Sequence, residues 1–351
     1  MINLLRAKPL SARRTKIICT IGPSSKTEST LRRLIEEGMD IARFNFSHGK
    51  LEEFQKWAKI IKKLSRKLKR KIEIIQDLQG PRIRIGKLKT EGRQVTIGSK
   101  VVLVFSDQAS HGDIPVQTDV KFNIKPGDKI LMDKGMIELE VKKTTDEKVI
   151  CRALTSGFLF SGKGINIPSV TTDEAFTKKD LLDLQEGLKM GVDYVALSFV
   201  EEAKDIADLR NIVGKRAKII AKIERPQAIN NYRQILKFSD AVMIARGDLG
   251  IEIPFYKLPL IQKRAIKLAT DAGKLSIVAT DMMASMAISP RPTRAEILDI
   301  ANAVIDGAGA LMLSDETAVG KHPICAVRAM RQIIEETERF SNLQKSNSLL
   351  D

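Results

Sequence analysis

Short runs of β-branched and other apolar residues alternate with stretches of helical periodicity along most of the chain. The strand-like runs lie at residues 15–21, 40–46, 71–77, 193–200, 217–224, 241–245, 275–280 and 309–314. Amphipathic stretches follow seven of these eight runs directly, and the one at 294–305 begins with the capping box Thr293-x-x-Glu296. Eight strands that alternate with helices predict an α/β protein built on a closed parallel (β/α)8 TIM barrel.

The pattern changes after the third strand. Between residues 87 and 163, several short apolar runs are separated by turn signals such as Pro126-Gly127-Asp128. A series of this kind predicts a small antiparallel β-barrel domain. We therefore expect a barrel domain at 1–86 and 164–340 and a polar tail at 341–351. The inserted domain at 87–163 would lie over the mouth of the barrel as a lid.

Composition sets limits on the class of protein. With 43% hydrophobic residues in 351, the chain can bury a large core, which excludes disorder for its bulk. Its 3 cysteines show no CxxC spacing, so we expect neither a disulfide nor a zinc framework, and a reducing, cytoplasmic location. No apolar run is long enough to predict a membrane span.

Basic residues exceed acidic ones, 59 to 43, giving a formal net charge of +16. The densest cluster, at 62–71, follows a helical stretch and is more typical of a solvated helix end, where the helix dipole favours cations. A nucleic-acid patch is the alternative. It is not expected, because no aromatic residues for base stacking are interleaved.

Candidate chemistry lies where the predicted strands end. Strand 5 ends in Lys222-Ile223-Glu224, and strand 6 runs into Gly247-Asp248. Two carboxylates on neighbouring strand ends could hold one Mg²⁺, which tolerates few protein ligands, and the backbone at Gly247 could approach an anion closely. The alternative is a salt-bridge network on the rim of the barrel, and spacing alone does not decide between the two.

Other strand ends add cations and hydroxyl groups. Arg43, Asn45 and Ser47 share one face of strand 2, where a guanidinium suits phosphate oxygens. Thr280 ends strand 7, and Arg84 follows strand 3. So much positive charge at one mouth favours phosphoryl transfer between two polyanions. No proton-transfer role is assigned to His48, and no Walker or protein-kinase motif occurs.

Longer motifs carry a resemblance to a known family. They are TKIICTIGPSS (15–25), ARFNFSHG (42–49), QDLQGPRIRIG (76–86), KGINIP (163–168), AKIERPQAI (221–229), MIARGDLGIEIP (243–254), PTRAE (292–296) and ANAVIDGAGALMLSDETAVGKHP (301–323). In this order the motifs resemble pyruvate kinase, over about residues 15–340. The inserted β domain is the least distinctive part.

The resemblance implies phosphoryl transfer from phosphoenolpyruvate to ADP, giving ATP and an enolate that is protonated to pyruvate. It implies that Glu224 and Asp248 hold Mg²⁺, that Lys222 stabilises charge on the transferring phosphoryl group and the enolate, and that Arg43 binds the phosphoryl group. The backbone of Gly247 and Asp248, with the Thr280 hydroxyl, would bind the substrate carboxylate. A second Mg²⁺ would arrive with the nucleotide, whose contacts would be Pro23, Asn45, His48, Arg84 and Lys179.

The sequence departs from the family where a potassium ion is usually bound. The common pattern Asp-Thr-Lys-Gly-Pro-Glu here reads Asp77-Leu78-Gln79-Gly80-Pro81-Arg82. Leu78 lacks the usual hydroxyl, and the fixed cation of Arg82 replaces an acid. We therefore expect Arg82 to take the place of the monovalent ion, in a site formed with Asn45, Ser47, Asp77 and Leu78, so that K⁺ is not required.

Three further departures place unusual charges near the site. Lys134 stands at a lid position that is usually acidic, Asp281 stands where Gln is usual, and Asp315 where Gly is usual. Negative charge at Asp281 and Asp315 would weaken binding of the substrate carboxylate.

The family's large C-terminal domain would begin where this chain ends, soon after helix 8. We therefore expect no activation by sugar phosphates such as fructose 1,6-bisphosphate. A homodimer through barrel contacts is compatible with the sequence, and a tetramer is less expected.

Two other functions remain open at this point. One is a Mg²⁺-dependent aldolase-type barrel enzyme that uses the same pyruvate enolate without a nucleotide. The other is a weakly active relic that binds anions or RNA, suggested by the charge of +16.

Overall fold

The computed structural model describes residues 13–345, except 89, 106–111, 119–122, 146 and 172–174. Within this range the strands are β1 Lys16–Thr20, β2 Ile41–Asn45, β3 Glu73–Asp77, β4 Ile83–Ile85, β5 Arg93–Val95, β6 Lys100–Val104, β7 Ile114–Gln117, β8 Lys129–Met132, β9 Ile137–Thr144, β10 Lys148–Ala153, β11 Gly157–Leu159, β12 Gly164–Asn166, β13 Tyr194–Leu197, β14 Lys218–Ile223, β15 Ala241–Ala245, β16 Leu275–Ala279 and β17 Ala310–Leu313.

The helices of the described residues are α1 Glu28–Glu37, α2 Leu51–Lys67, α3 Lys178–Met190, α4 Ala203–Val213, α5 Pro226–Asn230, α6 Tyr232–Phe238, α7 Arg246–Glu252, α8 Leu258–Asp271, α9 Arg294–Ile305, α10 Asp315–Ala318 and α11 Pro323–Lys345, with 3₁₀ turns at Phe255–Lys257 and Ala284–Ala287. Helix α11 extends to Lys345, beyond the end expected at 340. The rest of the expected tail, 346–351, lies outside the described residues.

Eight strands close into a parallel barrel in the order β1-β17-β16-β15-β14-β13-β3-β2. The first and last strands, β1 and β17, pair to close the barrel, with Lys16 opposite Ala310. The strands on either side of the inserted domain, β3 and β13, are also paired, with Tyr194 opposite Ile75. The predicted (β/α)8 barrel is therefore confirmed. Each strand lies within its predicted run, because burial on both faces gives these strands nearly continuous apolar sequences.

A second, smaller barrel is formed by β4, β6, β7, β8, β9, β10 and β12. Its pairs are antiparallel except β6 with β7, where Leu103 is opposite Ile114 in parallel, so the sheet is mixed and not purely antiparallel. The sheet includes Ile83–Ile85 and Gly164–Asn166, a few residues outside the expected range 87–163. Its own core is apolar, with Leu103, Ile130 and Leu139 fully buried.

Two apolar layers hold the large barrel together. Along β14, Ile219, Ala221 and Ile223 pack outward against the helices, while Ile220 belongs to the cluster inside the barrel. Helix α1 shows the matching stripe, with Leu31, Leu34 and Ile35 buried and charged residues outside. Because side chains alternate along a strand, the position two residues after an interior residue also points into the barrel.

Among the described residues, no helix is both long and apolar enough to span a bilayer.

Candidate active site

Polar side chains replace apolar ones in the last interior layer of the barrel, at the ends of its strands. Ile41, Ile75 and Ile220 lie in the interior cluster. Two residues further along the same strands, pointing the same way, are Arg43, Asp77 and Lys222, joined from neighbouring strands by Thr20 and Ser198. The strand ends of a parallel barrel meet at one mouth, so this layer forms the floor of a site.

Lys222 lies at the centre of the layer and is 4% exposed. Its Nζ lies 2.6 Å from Ser198 Oγ, 2.9 Å from Glu224 Oε1 and 3.1 Å from Asp77 Oδ1. Burial lowers the pKa of Lys222, but the charges of Asp77 and Glu224 outweigh it, and the pKa is raised above its usual value. The ammonium group is therefore a fixed positive charge at neutral pH and not a general base.

Asp77 joins this ammonium to a second cation. Arg43 Nε donates to Asp77 Oδ2 at 2.6 Å, and Arg43 also donates to Thr20 Oγ1 at 2.9 Å. Burial of Asp77 acts to raise its pKa, yet the charges of Lys222 and Arg43 lower it below the usual value. One buried carboxylate thus orients two cations.

The two oxygens of Glu224 have different partners: one accepts a backbone hydrogen bond and the other faces a cation. Its Oε2 accepts a 2.8 Å hydrogen bond from the backbone N–H of Phe199. Its Oε1 is buried 2.9 Å from Lys222 Nζ, and within the described part of the chain it makes no hydrogen bond of good geometry. Burial raises the pKa of Glu224, and the charge of Asp248 raises it further. The two carboxylates therefore lie within electrostatic reach of each other.

This donor set fits Mg²⁺. Among the described residues no three or more His, Cys, Asp or Glu side chains form a metal cage, so a multi-ligand protein site is absent from that part of the chain. Mg²⁺ is commonly bound by one or two carboxylates, with substrate oxygens and water completing its shell. A buried carboxylate oxygen without a hydrogen bond, beside a second carboxylate, is a suitable place for it.

Thr280 and Gly247 form a second part of the mouth. Gly247 N–H donates to Thr280 Oγ1 at 2.7 Å, and that hydroxyl donates to Ala279 O at 2.6 Å. Thr280 and Asp281 have φ of 71° and 54°, in the left-handed region that costs non-glycine residues energy. The Gly247 N–H, which is expected to bind an anion, therefore already donates a hydrogen bond to Thr280. A bound anion would have to replace the Thr280 hydroxyl as its acceptor.

The expected nucleotide residues approach the mouth from several sides. Arg84 donates to Gly162 O at 2.9 Å, and Lys179 Nζ lies 2.9 Å from Phe46 O and 2.5 Å from Asp183 Oδ2. Asn45 Oδ1 accepts from the N–H of Ser47 at 3.2 Å, which fixes the turn after β2. Pro23 is exposed in the turn after β1.

The pKa of His48 reflects the positive charges around it. Its pKa is lowered first by burial and then by the charges of Arg82, Arg84 and Arg43, while Asp315 acts in the opposite direction. These three guanidinium groups therefore act on one imidazole, which stays neutral and can accept a hydrogen bond at pH 7. The structure brings the cations from β2 and from the segment after β3 together.

Arg82 lies between the two barrels. Its guanidinium carbon lies 5.8 Å from the centroid of the Phe199 ring, and its buried Nε has no hydrogen-bond partner among the described residues. Its charge also acts to lower the pKa of Lys222, against the larger effects of Asp77 and Glu224. Leu78 is 1% exposed and offers no oxygen from its side chain.

The three unusual charges have different positions. Lys134 is exposed in a left-handed turn of the small barrel, with φ of 60°. Asp281 is exposed directly after Thr280, and Asp315 is exposed at the start of α10. Of these, the structure links Asp315 to the mouth through its effect on the pKa of His48.

Sequence reasoning missed two arginines that shape the mouth. Arg246 donates to Thr280 O at 2.7 and 3.2 Å and to both oxygens of Asp299 at 2.8 and 2.7 Å. Arg225 is 6% exposed, lies 2.6 Å from Glu201 and 3.2 Å from Glu252, and donates to two backbone carbonyl groups after β12. Arg246 directly follows β15, and Arg225 lies two residues beyond the end of β14, so position near a strand end was the available signal.

The fold and this arrangement of charges define a (β/α)8-barrel enzyme with a second domain at its mouth that acts on phosphorylated anions. A family model described as "Pyruvate kinase, barrel domain" matches residues 12–327. The chain therefore belongs to the pyruvate kinase family and is a phosphotransferase.

Relatives and solved structures agree with this assignment. The chain is 42% identical over 337 residues to a pyruvate kinase of Thermococcus litoralis, covering 94% of this chain and 71% of that protein. It is 43% identical over 334 residues to a pyruvate kinase of Agrobacterium vitis, with coverage of 94% and 69%. A crystal structure of a pyruvate kinase from Cryptosporidium parvum superposes with a TM-score of 0.87 at 34% identity, covering 94% and 71%.

Proposed function

We propose that the barrel mouth transfers the phosphoryl group of phosphoenolpyruvate to ADP, giving pyruvate and ATP. The observation that carries this proposal is the buried Lys222 ammonium, oriented by Asp77, Ser198 and Glu224 beside the Arg43 guanidinium. Charge developing between two polyanions needs preorganised positive groups more than it needs covalent chemistry.

In this reaction the bond between phosphorus and the enol oxygen breaks, and a bond forms between phosphorus and a terminal oxygen of ADP. The electron pair of the broken bond stays on the oxygen and gives the enolate, which takes a proton from water at its methylene carbon. Lys222, whose raised pKa keeps it charged, stabilises the transferring group and the enolate oxygen. Arg43, held by Asp77, binds the equatorial phosphoryl oxygens with paired donors.

Glu224 and Asp248 would hold Mg²⁺, which supplies positive charge to oxygens of the substrate. Glu224 Oε1, which is ion-paired with Lys222 at 2.9 Å but makes no hydrogen bond of good geometry among the described residues, supports this assignment. The substrate carboxylate would bind at Gly247, Asp248 and Thr280. It would accept the hydrogen bond that the Gly247 N–H now donates to Thr280 Oγ1.

ADP would bind beside the same mouth. Arg84, Lys179 and the neutral His48 supply charge and hydrogen bonds for its phosphates, with Asn45 and Pro23 along the edge. A second Mg²⁺ would arrive bound to the nucleotide phosphates.

The small barrel would act as a lid. The cleft between it and the large barrel is lined by Arg82, Arg84 and Asn166 on one side and by Phe199 and Asp248 on the other. Its volume is about 80 Å³, and of the residues proposed to bind phosphoenolpyruvate it includes Asp248. Closure of the lid over the mouth would exclude water from the transferring group.

Arg82 would supply the charge that a potassium ion gives in other members of the family. Its guanidinium cannot lose its proton near neutral pH, and its charge acts on Lys222. We expect full turnover with tetramethylammonium as the monovalent cation. The variant Arg82→Glu should then require K⁺, and a wild-type rate near zero that K⁺ restores would refute the assignment.

A lactate-dehydrogenase-coupled assay with phosphoenolpyruvate, ADP and Mg²⁺ tests the main proposal. Lys222→Met should lower kcat at least 10³-fold, which corresponds to about 4 kcal/mol of lost transition-state stabilisation. Lys267→Met is a matched control, since it removes an ion-paired lysine on the exposed face of α8. Equal turnover of wild type and Lys222→Met would remove the mechanism.

The nucleotide separates this activity from the aldolase-type alternative. An aldolase would not need Arg84, Lys179 or a lid, and the family match covers the segments that carry them. Omitting ADP from the assay should abolish pyruvate formation. The RNA-binding alternative rests on the net charge of +16, and filter binding of RNA against salt, measured alongside turnover, would separate it from catalysis.

A further inference from the structure

The end of the barrel opposite the mouth carries a shallow basic cleft of about 730 Å³, a volume typical of small-molecule sites. We call it the floor cleft. It lies where strands β13 and β14 begin and helices α4 and α6 end. Six cations line it: Arg210, Lys215, Arg216, Lys218, Lys237 and Lys274.

Three of these cations stabilise the surrounding helix ends. Lys274 Nζ donates to three backbone carbonyl groups at the end of α6, at 2.5 to 2.9 Å. Arg210 and Arg216 donate to carbonyl groups at and after the end of α4. The partial negative charge that helix C-termini would present to the cleft is thereby neutralised.

The other three, Lys215, Lys218 and Lys237, have no ion pair with a carboxylate within the described part of the chain. The two carboxylates that line the cleft already accept hydrogen bonds from other groups. Asp193 accepts from the N–H of Ile74 at 2.8 Å, and Asp240 binds Arg210 and accepts from the N–H of Ile219 at 2.7 Å. Six cations against two carboxylates leave an excess of positive charge on this concave surface. Of the three lysines, Lys218 has its Nζ 5.4 Å from the centroid of the Tyr194 ring, and none has a carboxylate in direct contact among the described residues.

An exposed aromatic ring completes the cleft. Phe238, the last residue of α6, is 51% exposed next to Lys237. An apolar ring of this size gains by being covered, and the face of a nucleobase stacks on it favourably. Unpaired ammonium groups beside an exposed ring are the recognition elements of a nucleotide: phosphates on the cations and the base on the aromatic face.

We propose that the floor cleft binds a free nucleoside polyphosphate, with its base on Phe238 and its phosphates on Lys215, Lys218 and Lys237. This site is distinct from the proposed catalytic site. Lys218 begins β14 and Lys222 lies near its end, so the two are separated by four residues, roughly 13 Å along the strand. The proposal does not depend on the catalytic assignment.

Photolabelling with 8-azido-ATP, followed by proteolysis and mass spectrometry, tests the proposal on the full chain, because it reports each site separately. We expect adducts within 211–218 or 232–240 that saturate with concentration and weaken as salt is raised. Phe238→Ala should weaken labelling there by about five- to tenfold. Lys215→Ala/Lys237→Ala should weaken it at least tenfold.

Lys56→Ala/Lys59→Ala on α2 is the matched control, since it also removes two exposed lysines, and its labelling of the floor cleft should equal that of wild type. Absence of adducts in these segments, or equal labelling of all variants, would overturn the proposal. So would competition by inorganic tripolyphosphate equal to that by ATP, since the base would then contribute nothing. Competition by a single-stranded oligonucleotide but not by ATP would assign the cleft to RNA and overturn the free-nucleotide assignment. Turnover is measured on the same variants. A loss of labelling without a loss of turnover concerns the floor cleft alone, and a loss of turnover concerns the catalytic proposal.

Discussion

The backbone N–H of Gly247 donates a 2.7 Å hydrogen bond to the side-chain oxygen of Thr280, and this bond connects the ends of two neighbouring barrel strands. Thr280 holds a left-handed φ of 71° to accept it. A hydroxyl in that position occupies the donor that an anion would use. We therefore expect the pair to bind an anion, which would take the place of the Thr280 hydroxyl.

Gly247→Ala should separate anion binding from stability. An added Cβ would meet its nearest neighbour, Thr280 Oγ1, at 3.4 Å, an ordinary contact, so the fold has room for it. Alanine also favours a helix over glycine by about 1 kcal/mol. We expect an unchanged or slightly higher Tm together with a KM for phosphoenolpyruvate raised at least tenfold, because the methyl group enters the anion's space.

Gly250→Ala is the control for this variant, since it lies in the same helix and its Cβ would meet the flexible end of Leu258. Steady-state kinetics and thermal unfolding of both variants provide the measurement. If Gly247→Ala binds phosphoenolpyruvate as wild type does, the anion lies elsewhere.

Arg246 should act as a positioning residue for Thr280. Its guanidinium donates hydrogen bonds to Thr280 O and to the Asp299 carboxylate. These bonds fix the left-handed turn at Thr280. Arg246→Met should raise the KM for phosphoenolpyruvate and lower kcat, each by about tenfold, as expected for the loss of a charge-assisted hydrogen bond of 1.5–3 kcal/mol. Arg246→Lys should recover part of the loss.

Arg328→Met provides the comparison, because it removes an arginine paired with Glu37 at the far side of α11. Circular dichroism should show both variants folded. Equal kinetic effects of Arg246→Met and Arg328→Met would mean that the role of Arg246 is only structural.

Asp77→Asn should destabilise the barrel strongly. The amide would leave two buried cations, Lys222 and Arg43, without their common counter-charge. Breaking a buried ion pair from one side costs about 3–5 kcal/mol. Urea unfolding should show this loss, and Asp271→Asn, at an exposed pair with Lys267, should change the free energy of unfolding by less than about 1 kcal/mol. Similar losses for the two variants would contradict the central role of Asp77.

Glu73 should contribute to the acid sensitivity of the fold. Burial acts to raise the pKa of Glu73, but hydrogen bonds from Lys16 and Lys71 lower it below its usual value. A carboxylate whose pKa is lower in the folded state than in the unfolded state stabilises the fold at pH values above its unfolded pKa of about 4.3. This stabilisation is lost as the pH falls through the pKa that the carboxylate has in the folded state. We expect Glu73→Gln to be less stable than wild type by about 1 kcal/mol at pH 6.

That difference between wild type and Glu73→Gln should shrink as the pH falls from 6 towards 3, measured by unfolding at each pH. Glu186→Gln serves as the control, since its partner Lys189 is exposed on the same helix. A constant difference across the range would show that the Glu73 carboxylate does not titrate with folding.

The strand ends could be predicted from sequence because they depend on local periodicity. Lys222 lies two residues after the interior Ile220, and Arg43 two residues after Ile41, so alternation alone directs both into the mouth. The role of Arg246 could not be predicted in this way. Its acceptor is a backbone carbonyl in a left-handed turn, and a turn that places a threonine at φ 71° opposes local preference.

The same limit applies to the hydrogen bond of Gly247 and to the small barrel. A motif shows that a backbone N–H is near an anion site, but which group it bonds before the anion arrives depends on the geometry of another strand. In the small barrel, alternation predicts the strands but not their partners. The parallel pairing of β6 with β7 therefore emerged only from the three-dimensional structure.

Arg225 binds the segment after β12 through the carbonyl oxygens of Ile167 and Val170, at 2.9 and 2.7 Å. Every residue type presents such a carbonyl, so this anchor is indifferent to the side chains it holds. Substitutions at residues 167 and 170 can therefore leave these two hydrogen bonds in place. The neighbouring contact from Asn166 Nδ2 to Glu252 Oε1, at 3.0 Å, does depend on residue type. The junction thus combines an anchor that tolerates sequence change with one that does not.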